Sequence, residues 1–537
     1  MNRRSFLQTA ATATGILAAS QAFAVRKTTA PPNFLVIVAD DMGYADAGCY
    51  GGEIQTPNLD RLADNGLRFS QFYSAGRCWP SRTCILTGYY AKQVQMDPPK
   101  GKVPAWTRIL PHYLKPAGYR CYTSGKWHLM GAPKAIADGD FDHSYVIHDH
   151  DRFFSPKNHE EDDQPLPAIE EGTDFYLTTY IADHAIKCLN EHAAQHADKP
   201  FLQYLAFTSP HFPLHAMQKD IDVYRDRYLE GWDVIRRQRH QRQLDMGLLN
   251  CRLSARETAT IPHWNLSEEE LREKIGEGEA GHAVPWDSLS DAQKRFQATK
   301  MAIHAAMIHR MDIEIGRVLK QLEAMEALDN TVVMFVSDNG SSAEQIIRGD
   351  LHDPAAEPGS AASYLCLGPG WSTSGNAPFR LHKHWTHEGG IASPFIVHWP
   401  AGKLRKGAIH ENPGHFIDIL PTMLDLAGIE PAPQWHGLTP PPLPGRSMAP
   451  AFRKDGSVER EYIYFDHQGN RALREGDWKL VAAGADGPWE LHNLREDRSE
   501  MTDVSAEYPE RVRAMNDRWT ELEQIFRKQG GYADQGA

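Results

Sequence analysis

Three apolar runs constrain this chain more than anything else in it. Asn33–Ala39, residues 200–207 and Thr331–Ser337 are dense in Val, Ile, Leu and Phe and show no polar alternation. Runs of this length without a period of two read as strands buried on both faces, the condition of strands in a parallel sheet covered by helices. Residues 393–399 make a fourth strand. Between them lie helical patterns. Tyr180, Ile181, His184, Ala185, Cys188 and Leu189 share a face of 174–193, and Ile308, Met311, Ile315, Val318 and Leu322 recur at three- and four-residue steps in 296–325. The expectation is an α/β fold with a large mixed, mostly parallel sheet flanked by helices.

The rest is read more coarsely. Residues 58–66 and Leu110–Leu114 are short helices, 119–124 is a strand, and 417–426 is a helix stopped at Gly428. Residues 141–164, polar and rich in His and Asp, read as a long surface loop. Residues 220–286, highly charged, read as a helical insertion over the surface, and 354–379 as a loop. Six prolines between 431 and 444 exclude a regular helix and mark a covering loop or boundary. Beyond it, 461–465, 470–474, 478–481 and 489–492 are short strands, and 509–528 is a closing helix. The expected division is a targeting segment at 1–24, a catalytic domain at 33–446 and a smaller C-terminal α+β subdomain at 447–537.

The targeting segment rests on Asn2-Arg3-Arg4-Ser5-Phe6-Leu7, an Ala-rich apolar stretch, and Ala22-Phe23-Ala24 as a small-x-small cleavage site. This reads as a twin-arginine signal peptide, so the expected compartment is the periplasm or cell exterior, with no stable membrane insertion. Removing Arg3 and Arg4 with it takes the formal charge from −13 to −15. That balance argues against a nucleic-acid partner. It also means that an anionic substrate must be drawn in by local cations or a metal. Seven cysteines are too few for a disulfide scaffold in 537 residues, and the odd count flags one thiol with another task.

Cys78 is that candidate. In Cys78-Trp79-Pro80-Ser81-Arg82, continuing to Thr87-Gly88, the proline suits a first helical turn, which puts Cys78 at a helix start. Helix N-termini favour anions, and Arg82 adds a cation. Two of the apolar strands end in paired oxygen donors, Asp40-Asp41 and Asp338-Asn339. Ligands bind beyond the carboxyl ends of parallel strands. If these two strands are neighbours, four hard oxygen ligands converge, a set that suits Ca²⁺ or Mg²⁺ rather than zinc.

These motifs resemble the formylglycine-dependent sulfatases of the alkaline phosphatase superfamily, in particular bacterial arylsulfatase-like enzymes. Besides the Cys78 run, the resemblance includes Gly125-Lys126-Trp127-His128, Ser209-Pro210-His211, Ser337-Asp338-Asn339-Gly340, Lys383 with Glu388-Gly389-Gly390, and Gly476-Asp477-Trp478-Lys479-Leu480. It implies that Cys78 is oxidised to formylglycine by a maturation enzyme, and that this residue ligates one Ca²⁺ with Asp40, Asp41, Asp338 and Asn339. It further implies that Arg82 holds the hydrated aldehyde, Lys126 and Lys383 bind sulfate oxygens, His128 is a base, and His211 is the acid to the leaving oxygen. The implied substrate is a sulfated small molecule or glycan. His215, His382 and His384 lie near these motifs and are weighed evenly as site or scaffold.

Two alternatives compete. A phosphomonoesterase or phosphodiesterase of the same superfamily would carry Thr or Ser as nucleophile and more His ligands. A non-catalytic glycan-binding relative would show a broken constellation.

Overall fold

The apolar runs lie side by side at the centre of one large sheet. The computed structural model describes residues 30–129 and 134–532, so the signal peptide expected at 1–24 lies outside the described residues. The strands are β1 (Asn33–Ala39), β2 (Leu67–Tyr73), β3 (Arg120–Lys126), β4 (His143–Ile147), β5 (His159–Glu161), β6 (Gln164–Pro165), β7 (Phe201–Ala206), β8 (Thr331–Ser337), β9 (Ala392–His398), β10 (Ala408–His410) and β11 (Gly414–His415). Their order is β10-β2-β9-β8-β1-β7-β3-β4-β5-β6, with β11 also paired to β2. The stretch β8-β1-β7-β3-β4 is parallel throughout, while β9 joins it antiparallel to both β8 and β2.

The missing alternation in β1 has a direct cause. Leu35, Ile37 and Ala39 enter the core on one face with Ile308, Met311, Ile315, Val318 and Leu322 of the Asp291–Ala324 helix. Phe34, Val36 and Val38 enter the core on the other face with Ile85, Leu420 and Met423. All six β1 side chains are fully buried. Fully burying one such aliphatic side chain contributes about 1.5–3 kcal/mol, so neither face tolerates a polar residue.

The C-terminal strands β12 (Ile463–His467), β13 (Asn470–Glu475), β14 (Trp478–Ala482) and β15 (Glu490–Asn493) form an antiparallel sheet in sequence order, followed by the Pro509–Gly530 helix. Lys479 docks this sheet against the main one. Its buried Nζ lies 3.0 Å from Glu388 Oε1 and 2.7 Å from Glu500 Oε1, and Tyr73 and Arg498 donate to Glu388 Oε2. The Glu388-Gly389-Gly390 and Trp478-Lys479-Leu480 motifs therefore meet as a structural joint.

Three expectations need correction. Residues 141–164 are not a surface loop: β4 extends the main sheet beside β3, with Tyr145, Val146 and Ile147 buried, and β5 returns antiparallel to it. β4 is only five residues long and has the polar Asp142-His143 and His148-Asp149 at its ends, which is why the stretch reads as loop. The 220–286 insertion is helical only in part, at Trp232–Asp245 and Glu268–Lys274. The stretch 354–379 contains the Pro369–Gly375 helix, opened by Gly368 at φ 82° and a proline at its first position. All seven cysteines are buried free thiols. Among the described residues no helix is long and apolar enough to cross a membrane.

Candidate active site

The pairing of β1 with β8 creates the site. Ala39 stands opposite Ser337 in the parallel register, so Asp40-Asp41 and Asp338-Asn339 leave the sheet together at its carboxyl edge. All four side chains are buried. Asp41 has φ 67°, a left-handed backbone that an aspartate tolerates better than most residues. Its amide donates to Asp338 Oδ1 at 3.3 Å, and Asn339 Nδ2 donates to Asp41 Oδ1 at 2.7 Å. Gly340 is required next: a Cβ there would sit 1.9 Å from the carbonyl oxygen of Gly389.

Cys78 opens the Cys78–Thr87 helix, which ends at Gly88 in the left-handed conformation. Arg82, one turn on, is fully buried. Its Nε donates to Asp338 Oδ2 at 2.8 Å, and its Nη1 and Nη2 donate to the carbonyls of Lys126 and Phe207 at 3.0 and 3.2 Å. Lys126 ends β3 and donates to Asp40 Oδ2 at 2.5 Å. The preceding Gly125, at φ 113°, lets β3 approach β7, where a Cβ would sit 2.0 Å from Ala206 O. Lys383 donates to Asp41 Oδ2 at 2.8 Å and lies 3.3 Å from Glu344 Oε2. His211 Nε2 is 3.8 Å from Asp41 Oδ2.

Charge orders these groups. Burial opposes ionisation of Asp40, but Lys126 and Arg82 more than offset it and hold its carboxyl below the ordinary value. Burial pushes Asp338 up to about 7, helped by the charge of Asp40 and opposed by Arg82. Asp41 is also raised, by burial and by Asp40 and Glu344 against the pull of Lys383. Burial likewise raises the Cys78 thiol, against Lys126 and Lys383. As encoded, then, Cys78 is a protonated thiol and a poor nucleophile. Burial and the nearby lysines hold His128 and His211 well below the usual imidazole range.

The donor set fits a hard cation. Asp40 Oδ1 and Asn339 Oδ1 are buried and have no hydrogen-bond partner. Both are oxygens, as Ca²⁺ or Mg²⁺ prefers. Asp40, Asp41 and His211 also offer ligand atoms within 4.8 Å of one another.

All the expected residues are thus brought together, while two of the three extra histidines belong to the scaffold. His215 bonds Ser363 O at 2.7 Å, and His382 bonds Ser372 Oγ at 2.7 Å, deep in the fold. His384 does border the site, its amide bonded to Gly76 O. Sequence reasoning missed three neighbours. His150 lies with its ring 5.5 Å from His128 and 5.0 Å from His211. Its signal was the His-rich stretch 148–150, set aside as solvated loop. Glu344, 3% exposed, accepts from Arg77 at 2.9 Å and from Trp264 at 3.0 Å while facing Lys383. Trp264 comes from the charged insertion, where no periodicity marked it.

The chain also matches known proteins. The sulfatase family model matches residues 32–429, and a model described as the C-terminal part of N-sulphoglucosamine sulphohydrolase matches 379–527. An uncharacterized sulfatase of Schizosaccharomyces pombe is 30% identical, covering 93% of this chain and 94% of that protein. An arylsulfatase of Klebsiella aerogenes is 30% identical over 74% of this chain and 87% of its own. A solved structure described as a complex with its substrate D-glucosamine-2-N,6-O-disulfate superposes with a TM-score of 0.62 at 22% identity, covering 93% of this chain and 98% of that one. The chain belongs to the sulfatase family and is a sulfuric ester hydrolase.

Proposed function

We propose that this enzyme hydrolyses the sulfate monoester of an aryl alcohol or a carbohydrate to the free alcohol and inorganic sulfate, with formylglycine made from Cys78 and one Ca²⁺. The observation that carries this reading is the placement of Cys78 at a helix N-terminus, its thiol protonated, under the charges of Lys126, Lys383, Asp40 and Asp338. A thiol so placed is a weak attacking group, and a converted side chain removes that difficulty. Hydrated formylglycine supplies one hydroxyl for attack on sulfur and a second whose deprotonation expels the sulfate. Asp40, Asp41, Asp338, Asn339 and the converted Cys78 would hold Ca²⁺, which when bound polarises a sulfate oxygen and favours ionisation of a nearby hydroxyl.

The remaining roles belong to this chain's own groups. Arg82, fixed by three hydrogen bonds, holds Asp338 in place and lends its charge to the Cys78 end of the site. Lys126 and Lys383 face the position where negative charge spreads over the departing sulfate. The neutral imidazole of His128 accepts the proton of the second hydroxyl, and His211, its depressed pKa lifted by the negative charge of the bound sulfate ester, delivers a proton to the leaving oxygen. His150, between them, orients both rings. Catalysis falls to residues 33–446, with 447–537 as the docked subdomain. Export by a twin-arginine route and conversion of Cys78 by a maturation enzyme complete the reading.

The test is to compare p-nitrophenyl sulfate with p-nitrophenyl phosphate and with defined sulfated monosaccharides. Sulfate esters should be turned over in preference to the phosphate. A strong preference for phosphate would overturn the reading.

A further inference from the structure

Beside Cys78 lies a cluster of polar atoms that the hydrolytic machinery does not use. Arg77, the residue before the helix, lies against two indoles, its guanidinium carbon 5.3 Å from the ring centroids of both Trp79 and Trp264. His384 packs edge-on to Trp264 at 4.8 Å and to His467 at 5.1 Å, and His467 packs against Trp79 at 5.2 Å. His384 is 8% exposed and His467 is fully buried.

Arg77 and His467 each have one charged partner and further polar atoms left over. Arg77 Nη2 donates to Glu344, and His467 Nδ1 lies 2.9 Å from Asp97 Oδ2. Yet Arg77 Nε and Nη1, Trp79 Nε1, His384 Nδ1 and His467 Nε2 are buried with no hydrogen-bond partner. More than nine in ten buried polar groups in native proteins are satisfied, so five such atoms in one contiguous cluster call for a ligand. Glu344 and Asp97 orient the side chains, and the free edges are left for something else.

The chemistry of those edges specifies it. Two indoles lie against the guanidinium, and its Nε and Nη1 are left on the edge that binds an anion. Charge-assisted bonds from guanidinium to an oxyanion are the strongest available in such a dry place. A neutral imidazole and an indole N–H suit hydroxyl groups, and the indole faces suit a sugar ring. The cluster adjoins the site directly: Arg77 precedes Cys78, Trp79 also meets His128 at 6.0 Å, and Glu344 is shared between Arg77 and Lys383.

We propose that Arg77, Trp79, Trp264, His384 and His467 form a leaving-group subsite that takes a second anionic group, a carboxylate or a further sulfate, on a hydroxylated substrate. The inference rests on the sulfatase reading above. It gives the 220–286 insertion a purpose. That segment delivers Trp264 to the site, secured by Asn265 Nδ2 donating to Ala343 O and by Gln345 N donating to Asn265 Oδ1.

The experiment measures kcat/KM on monosaccharide monosulfates, on the matching disulfates and on sulfated uronic acids, with p-nitrophenyl sulfate as the reference. The best doubly anionic substrate should exceed its monosulfate by tenfold or more, and whether the disulfate or the uronate leads identifies the second anion. Arg77→Gln should bring that ratio close to one, and Arg77→Lys should restore part of it. Each ratio is taken on a single preparation, so loss of folded enzyme cancels. Equal turnover of singly and doubly anionic substrates, or a ratio that survives Arg77→Gln, overturns the subsite. Failure of the wild-type enzyme on every sulfate ester overturns the sulfatase reading instead.

Discussion

Arg82 Nε sits 2.8 Å from Asp338 Oδ2, and neither side chain touches solvent. Removing Arg82 takes the buried donor away from Asp338 and from the carbonyls of Lys126 and Phe207 at once, at a cost of about 3–5 kcal/mol. Arg82→Met should therefore lower the urea midpoint by a corresponding amount and abolish turnover. A shift worth less than about 1 kcal/mol, the usual value of an exposed pair, would show that the pair does not hold the site together.

Conversion of Cys78 is open to direct measurement. The tryptic peptide 78–82 of active enzyme should carry an aldehyde where the thiol is encoded. Cys78→Ala should lose activity by a factor on the order of 10⁴ or more, as when a covalent nucleophile is removed. Cys78→Ser has one hydroxyl and no second group to release the product, so it should take up a single sulfo group and stop. Fully active enzyme with an unmodified thiol would refute the mechanism.

Stripping the metal should affect both activity and stability. Exhaustive chelation should lower the thermal midpoint and the rate together, and Ca²⁺ should restore both. At a hundredfold excess over Kd the ion contributes about 2.7 kcal/mol. Asn339→Ala should weaken the Ca²⁺ response. Full activity and an unchanged midpoint after chelation would exclude a resident ion.

A pH dependence of stability arises where the C-terminal sheet meets Arg380 and His387. Burial works against protonation of His492. The hydrogen bond to Glu490 at 3.3 Å and the charges of Glu500 and Glu490 outweigh it, so its pKa is raised. Lys479 stands opposite in the β14–β15 register, and Arg380 and His387 face the same Glu490. A raised folded-state pKa contributes stability that is complete below the unfolded value of about 6.5 and is lost as pH rises through the folded one. Thermal midpoints should thus decline as pH rises above about 6.5, and His492→Gln should flatten that decline. An identical slope in the variant would assign it to another group.

The buried strands and the motif residues were legible in the sequence because each announces itself locally. β1 and β8 carry their bounds in their apolar runs, and Asp40-Asp41 and Asp338-Asn339 follow immediately. The Cys78 helix was marked by Pro80 and Gly88. What stayed hidden depends on contacts between distant segments. Tyr145 is buried only because β4 pairs with β3, while its neighbours His143 and Asp149 look solvated. Trp264 reaches Glu344 from an insertion without periodicity, and His467 reaches Trp79 from the C-terminal sheet. No local pattern encodes such meetings.

The β1–β8 pairing has one more consequence. Asp41 and Asp338 are 297 residues apart, yet they meet because two central strands lie side by side. During synthesis β1 emerges early and must wait for most of the chain before its partner exists. The cation site is therefore assembled late, and a polypeptide cut short before residue 338 cannot build it at all. Ion binding would thus report that the whole topology, and not just a local loop, has been completed.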